Sequence, residues 1–268
     1  MQQPQSLPGL NLPRTLTRPA PSEASRENIS AIDPALAQIP FEYIRRGLHA
    51  RGAEMYASIS RLPLPHSVSK SRIPSSVDLP ITTSSPPTHV LAVYTSVSPS
   101  RPLDDASKAF IIPTHGLVLA AHCAKLPRLP PSRLQVRANG TATIPVIRLS
   151  VPVAEAFVPL HTFLVSRRMD IFLCSLLPLP SSMVSSARAS SSSQSTLENM
   201  SAHQLATYLA TAPVGDKMSA LMGVARTIIG VWQNASLLGV LDFEMWDGLD
   251  FAWEILLAAM NMAITSHH

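Results

Sequence analysis

The sequence of 268 residues is poor in charged side chains, cysteine and glycine, and each shortage excludes a class of protein. Charged residues make up 14% of the chain against about 25% in an ordinary globular protein, which excludes a coiled coil and a highly charged disordered chain. With only Cys123 and Cys174 there is no disulfide framework and no C-x-x-C zinc or redox motif. The 10 glycines form neither a dinucleotide-binding fingerprint nor a P-loop.

Proline is the residue in excess, with 25 prolines against 10 glycines. Because proline lacks the backbone N–H that helices and central strands need, its frequency predicts short elements separated by loops. Apolar residues make up 46% of the chain, which is enough to build a core. We therefore predict an α+β protein that is mostly helical.

The basic balance of the chain does not predict a nucleic-acid-binding protein. The net charge is +4, but the basic residues are scattered and do not alternate with aromatic residues. No apolar run reaches the length of a membrane span, and no basic region followed by an apolar region marks a secretion signal. We expect an intracellular protein, in the cytoplasm, the nucleus or both, that binds neither nucleic acid nor membrane.

Composition and periodicity divide the chain into segments. In chain order these are a disordered arm at 1–21, N-terminal helices at 22–65, an α/β core at 88–180, a flexible Ser-rich insert at 181–196, and C-terminal helices packed on the core at 197–264. The arm and the insert are assigned as disordered because neither shows an apolar period.

Capping residues and apolar stripes place the helices. Asp33 is a cap-type residue, and Pro40 suits the entry of a helix whose apolar stripe predicts an unbroken run to Leu62. Near the C-terminus, Asp216 is the cap of a long helix and Gly239 its left-handed stop. A last amphipathic helix is predicted at 242–263.

A small sheet of about three strands is predicted in the α/β core. The apolar, β-branched runs at 89–97 and 110–112 are expected to pair as a hairpin, followed by a helix that starts at His115. A third strand is predicted at 143–151, and a weaker pattern at 77–81 suggests a short edge strand.

The sequence offers no clear catalytic or metal-binding constellation. His115, His122 and Cys123 are the best candidate ligands, but their spacing does not suit a tetrahedral site and no carboxylate lies near them in the sequence. No nucleophile elbow surrounds any serine. We predict no catalytic residue, no metal and no cofactor.

Two stretches resemble the BTB/POZ domain. Residues 110–123, FIIPTHGLVLAAHC, resemble its strand-to-helix entry, and residues 147–170, IRLSVPVAEAFVPLHTFLVSRRMD, resemble its later strand and helix. The resemblance implies a BTB/POZ-like sheet flanked by helices. It also leaves open the role of a ubiquitin-ligase adaptor.

Four separated blocks resemble the basidiomycete clampless proteins. They are PSEASRENI at 21–29, EYIRRGLHARG at 42–52, VLAAHCAKLPRLPP at 118–131 and WDGLDFAWE at 246–254. That resemblance implies a role in clamp-cell formation and maintenance of the dikaryon, together with mating-type transcription regulators. It supplies no catalytic residues.

The leading hypothesis is a non-catalytic protein-interaction module whose surface lies on the second and fourth of these blocks. The candidate partner-binding residues are Glu42, Arg45, Arg46, Arg51, Trp246, Asp250 and Trp253. Core packing is the competing interpretation of both tryptophans. A ubiquitin-ligase adaptor, an unrecognised hydrolase or metal enzyme, and a homodimer also stay open.

Overall fold

A computed structural model describes most of the chain. The described residues are 12–96, 108–131, 134–179, 202–212 and 216–265. Within them the chain forms nine α-helices and five strands, so the α+β class is confirmed. The Ser-rich insert predicted at 181–196 lies outside the described residues.

Helices occupy both ends of the chain and strands its middle. The helices are α1 (Arg26–Ile32), α2 (Phe41–Ala50), α3 (Gly52–Ser60), α4 (Gly116–His122), α5 (Phe157–Ser166), α6 (Met169–Leu176), α7 (Ala202–Thr211), α8 (Lys217–Leu238) and α9 (Phe243–Thr265). The strands are β1 (Ser67–Ser69), β2 (Ser76–Pro80), β3 (His89–Thr95), β4 (Lys108–Thr114) and β5 (Thr141–Val151).

The sheet has five strands in the order β1-β4-β3-β5-β2, so the prediction of about three strands was wrong. The predicted hairpin is confirmed as the antiparallel β3–β4 pair, and the third predicted strand, β5, runs parallel to β3. The suggested edge strand is β2, whereas β1 was missed. In β2 the partly buried Val77 and the buried Leu79 alternate with exposed residues, which is the pattern that suggested this strand, whereas β1 has no buried residue and shows no alternation.

Strand β5 changes partner along its length, and this curls the sheet. Residues 141–145 pair with β2, and residues 146–151 pair with β3. Pro145 is the last residue of the β2 pairing, where its missing N–H does not interrupt the β3–β5 ladder. Central strand β3 is buried from His89 to Val93, with helices on one face of the sheet and a smaller apolar cluster on the other.

Several predicted helix ends are confirmed by their caps. The Asp33 carboxylate accepts the backbone N–H of Ala35 at 3.0 Å, and the Asp216 carboxylate accepts that of Ser219 at 3.1 Å. Gly239 ends α8 at φ 62°, the left-handed conformation that glycine adopts without strain.

The unbroken helix predicted from Pro40 to Leu62 is wrong. The chain turns at Arg51, so the apolar stripe is divided between α2 and α3. Gly52 opens α3 directly against the end of α5, where a Cβ would lie 3.0 Å from two backbone carbonyl oxygens. This close approach between backbones fixes the break.

The arm predicted to be disordered is in part a docked segment. Residues 12–21, called the strap below, cross α8 and α9 without regular secondary structure. Leu16 is buried, and Trp232 and Trp253 donate hydrogen bonds to strap carbonyl groups. The sequence does not reveal this contact, because Leu16 is the one buried apolar side chain of the strap and the partners of the strap lie more than two hundred residues away.

Helix α9 differs most from what the hydropathy of the sequence predicted. Over 23 residues it is long and apolar enough by composition to pass as a candidate membrane span, which the sequence inspection did not anticipate. In the structure it packs against α6, α7 and α8, and half of its most apolar window is buried in the protein. We therefore describe it as a core helix.

Two glycines of α8 give a matched test of this packing. A Cβ on Gly230 would lie 2.7 Å from the Ala156 Cβ, whereas a Cβ on Gly223 meets nothing within 4 Å. We expect Gly230→Ala to lower the free energy of unfolding by about 1–3 kcal/mol through overpacking. Gly223→Ala should raise it by about 0.5–1 kcal/mol, because alanine is the better helix former. Urea denaturation measures both changes in the free energy of unfolding. Equal effects would contradict the close packing of Gly230 of α8 against Ala156.

Candidate functional site

The two helices predicted as a binding surface meet at a groove. We call it the junction groove, because α2 forms one wall and the junction between α8 and α9 forms the other. Its volume is about 380 Å³. It is lined by Glu42, Arg45, Arg46, His49, His122, Arg167, Leu241, Asp242, Phe243 and Glu244.

A second cavity of about 410 Å³ continues the junction groove toward the strap. The two cavities share Arg45, Leu241 and Phe243. Arg18 and Trp246 line only the second one. The two cavities therefore lie side by side between α2 and the strap.

A buried ionic cluster forms the floor of the junction groove. The guanidinium of Arg167 donates to the carboxylate of Asp242, and His122 Nδ1 lies 3.2 Å from the same carboxylate oxygen, Oδ2. The other oxygen, Oδ1, accepts the backbone N–H of Met245 at 3.1 Å and so caps α9. Asp242 therefore ties the ends of α4 and α5 to the start of α9.

Arg167 reaches this cluster through an uncommon backbone conformation. It ends α5 at φ 59°, and it is the one non-glycine residue with positive φ among those that the structure describes. This left-handed conformation is strained for a side chain with a Cβ. Arg167 also donates to Glu244 Oε2 at 2.8 Å and stacks over the Phe163 ring at 4.8 Å, so three contacts hold the strained residue.

Burial and pairing set the protonation of the cluster. Burial alone raises the pKa of Asp242, but its contacts with His122 and Arg167 outweigh burial and hold that pKa far below the ordinary value. Burial lowers the pKa of His122, although Asp242 partly opposes this. At neutral pH the cluster is a buried Asp–Arg ion pair beside a neutral imidazole.

The wall formed by α2 combines a half-buried arginine with exposed surface charges. Arg45 Nε donates to the carbonyl of Ala121 at 2.8 Å, and burial lowers its pKa. Arg46 and Glu42 form an exposed i,i+4 pair at 3.3 Å, which contributes little to stability.

One apolar side chain stands out at the groove. Phe243, the first residue of α9, is 73% exposed, and Tyr43 on α2 is 63% exposed. Phe243 lines both cavities together with Arg45, so an exposed aromatic ring borders charged side chains at this surface.

The structure places the predicted site residues in three different environments. Glu42, Arg45 and Arg46 line the junction groove. Arg51 lies at the turn between α2 and α3 and bonds to Glu54 and Ser85, away from the groove.

The remaining predicted residues, on α9, do not form an exposed face. Trp246 and Trp253 are 5% and 2% exposed, so the core-packing interpretation is correct for both indole rings. Trp246 donates to the carbonyl of Val240 at 3.0 Å, while Asp250 pairs with Arg18 of the strap at 2.5 Å.

Sequence reasoning missed Phe243, Asp242 and Arg167 as groove residues. The last two are more than seventy residues apart and meet only because α5 ends beside the start of α9. A solvated phenylalanine cannot be told from a core phenylalanine in one sequence. No local signal marked these three.

The candidate metal ligands do not converge. His115 Nε2 lies 3.3 Å from Ser58 Oγ and 3.2 Å from the Met55 carbonyl oxygen. His122 contacts Asp242 instead, so the two histidines have different neighbours. Cys123 is fully buried, and burial raises the pKa of its thiol to about 12. In the described parts of the chain, no three His, Cys, Asp or Glu side chains are grouped to hold a metal ion.

The architecture defines an α+β protein with an interhelical groove, and comparison with known families identifies it further. Residues 19–152 match the Clampless protein 1 N-terminal domain, and residues 170–268 match the Clampless protein 1 C-terminal domain. The chain belongs to the clampless protein family, as its four sequence blocks predicted. Membership of this family indicates a role in clamp formation.

Comparisons with curated proteins and with solved structures gave no match. The BTB/POZ-like core therefore stays a prediction. The hairpin, the helix after it and the parallel third strand occur in the predicted order, but β1 and β2 extend the sheet on both sides.

Asp242 gives a direct test of the buried cluster. Asp242→Asn keeps a capping side chain but leaves Arg167 without its buried countercharge, so we expect the free energy of unfolding to fall by about 3 kcal/mol. The control is Glu244→Gln, which removes the exposed partner of the same arginine and should cost less than about 1 kcal/mol. Equal losses in chemical denaturation would show that burial of the Asp242 pair is unimportant.

The same variant tests an acid dependence. Because the folded-state pKa of Asp242 is lowered, its contribution to stability is present above the unfolded pKa of about 3.9 and is lost as the pH falls below it. Asp242→Asn should therefore lose less stability than the wild-type protein between about pH 5 and pH 3. A parallel loss in both proteins would contradict this assignment.

The burial of His161 predicts a second pH dependence of stability, at milder acidity. Burial lowers its pKa to about 3, and Nε2 lies 2.9 Å from Thr114 Oγ1. Below about pH 6.5 this histidine binds a proton in the unfolded chain but not in the folded chain. The free energy of unfolding therefore falls by about 2 kcal/mol between neutral pH and pH 5 because of this residue.

The test uses His161→Gln and His161→Asn, neither of which titrates. Both variants should have a shallower dependence of unfolding free energy on pH between 7 and 5, whatever stability they lose at pH 7. Thermal melts across this range measure the slope. If the two slopes matched that of the wild-type protein, His161 would not be the neutral buried group described here.

Proposed function

We propose that this protein is a non-catalytic interaction protein of fungal sexual development, acting in clamp-cell formation and dikaryon maintenance. In this proposal it binds mating-type transcription regulators inside the cell, in the cytoplasm or nucleus. The single observation that supports it best is the exposed Phe243 at the entrance of the junction groove.

The groove has the composition of a protein-binding site. Interfaces concentrate binding energy in a few aromatic and arginine residues, surrounded by a polar rim. Phe243 supplies the aromatic anchor, Arg45 a half-buried arginine, and Glu42 and Arg46 an exposed polar edge. A partner that covered Phe243 would remove its ring from water, a gain of about 1.5–3 kcal/mol.

The rigidity of the groove also supports protein binding. Asp242 precedes Phe243 directly and is fixed by Arg167, His122 and the backbone of α9. The aromatic side chain therefore projects from a fixed backbone, which reduces the entropy lost on binding.

Charge pairing at the groove favours a protein partner over a nucleic acid. Of its three arginines, Arg46 and Arg167 pair with carboxylates of the same surface and Arg45 donates to the carbonyl of Ala121, so the groove does not present an unopposed basic patch. A surface with both charge signs suits a polypeptide partner. A homodimer through this surface is part of the same proposal.

Phe243→Ser tests the proposal. The substitution removes the aromatic anchor from a solvated position, so we expect recovery of mating-type regulators from mating hyphae to fall at least tenfold while stability changes by less than about 0.5 kcal/mol. Co-precipitation with tagged protein, together with a thermal melt, measures both quantities. Clamp formation in the variant strain gives the cellular readout.

The matched control is Val136→Ser, which changes an apolar side chain that is 54% exposed but does not line either cavity of the groove. It should leave recovery unchanged. Normal recovery with Phe243→Ser, or an equal loss with both variants, would contradict the proposed surface. Analytical ultracentrifugation of the wild-type protein and both variants tests for a homodimer through this surface.

A further inference from the structure

The strap lies on α8 and α9 as a bound peptide lies on a receptor. Trp253 of α9 donates through Nε1 to the carbonyl of Pro13 at 3.1 Å, and Trp232 of α8 donates to the carbonyl of Thr17 at 2.8 Å. Two tryptophan donors on adjacent helices thus hold backbone groups four residues apart. Such contacts read an extended backbone and not a particular side chain.

Side chains of the strap add two specific contacts. Leu16, between the two bonded carbonyls, is 7% exposed. Arg18 binds two carboxylates of α9, Asp247 at 2.7 Å and Asp250 at 2.5 Å, in a forked arrangement that fixes its direction. The surface therefore contacts a leucine and, two positions later, an arginine.

These contacts are few for a segment of this length. The strap has no helix or strand, and prolines 13, 19 and 21 cannot donate backbone hydrogen bonds. The Arg18 pairs are partly solvent-exposed, so water and salt weaken them. A segment held by one buried side chain and a handful of polar contacts is among the first parts of a fold to open.

The strap also leaves space beside it. A cavity of about 440 Å³ lies between the strap and α9, lined by Arg14, Leu16, Trp253 and Leu257 among others. On the other side of Arg18 begins the cavity that continues into the junction groove. The surface can therefore take a ligand with larger side chains than those of the strap.

We propose that the strap is an internal occupant of a peptide-binding surface on α8 and α9, which a partner segment of the same chemistry displaces. The partner segment is extended, contains proline, and carries a leucine and an arginine two residues apart. Extended proline-containing segments lose little entropy on binding and dock on aromatic-lined surfaces, as the two tryptophans provide here.

The acidic side of α9 determines the charge of this partner. Asp247, Asp250 and Glu254 lie along the strap side of the helix, so a basic segment is favoured and an acidic segment is repelled. The inference rests on the proposed interaction function and names the chemistry of one partner class. It concerns a surface next to the junction groove, and the two can be tested separately.

The experiment compares the full-length protein with a strap-release variant, Leu16→Asp with Arg18→Glu. The probe is a fluorescent peptide of residues 12–21, measured by anisotropy at low salt. We expect the release variant to bind it at least tenfold more tightly than the wild-type protein, whose own strap competes. A peptide with Arg18→Glu should bind at least tenfold more weakly than the native peptide.

A selection experiment defines the partner class. Random decapeptides displayed on phage and selected on the release variant should be enriched for leucine, any residue, arginine and proline in that order. Enrichment of acidic peptides, or binding that is equal for the native and charge-reversed peptides, would overturn the proposal. Concentration-dependent dimerisation that excludes the peptide would assign the surface to a second copy of the chain and would also overturn it.

A measurement on the wild-type protein covers the case in which the release variant does not fold. The NMR signals of isotopically labelled strap residues 12–21 should move toward the values of an unfolded chain when unlabelled peptide is added in large excess, because the displaced strap leaves Trp232 and Trp253. Unchanged strap signals would overturn the proposal without any substitution. Phe243→Ser should leave peptide binding intact, so a failure of the strap surface and a failure of the junction groove give different results.

Discussion

The buried pair between Asp242 and Arg167 is the contact on which the arrangement of this protein depends. It joins a residue from the middle of the chain to the start of the last helix, and Asp242 also caps that helix. A buried ion pair is a weak source of net stability, but breaking one partner leaves an uncompensated charge. The pair therefore specifies how α9 enters the fold and where Phe243 is exposed.

Parts of the fold that depend on local chemistry could be predicted from the sequence. The caps Asp33 and Asp216, the stop at Gly239 and the β3–β4 hairpin follow from neighbouring residues and proved correct. What depends on distant contacts could not be predicted. The break at Gly52 is imposed by the end of α5, and β1 is a strand because it pairs with β4, not because it is apolar.

The residues of the candidate site also differ in how well the sequence predicts them. Glu42, Arg45 and Arg46 could be proposed because an amphipathic helix reveals its charged face. The tryptophans of α9 were harder to judge, since an aromatic residue at helical spacing suits a core or an interface equally well. Their burial decides for the core, and their N–H groups are satisfied by Val240 and by the strap.

The junction groove and the strap are physically connected, and this connection relates the two proposals. The cavity beside the groove is lined at one end by Phe243 and Arg45 and at the other by Arg18 and Pro19. A polypeptide that bound over Phe243 and continued along this cavity would reach Arg18 and compete for its carboxylates on α9. The strap would then oppose binding of long ligands more than short ones, so affinity would depend on whether a partner carries its own arginine to replace Arg18.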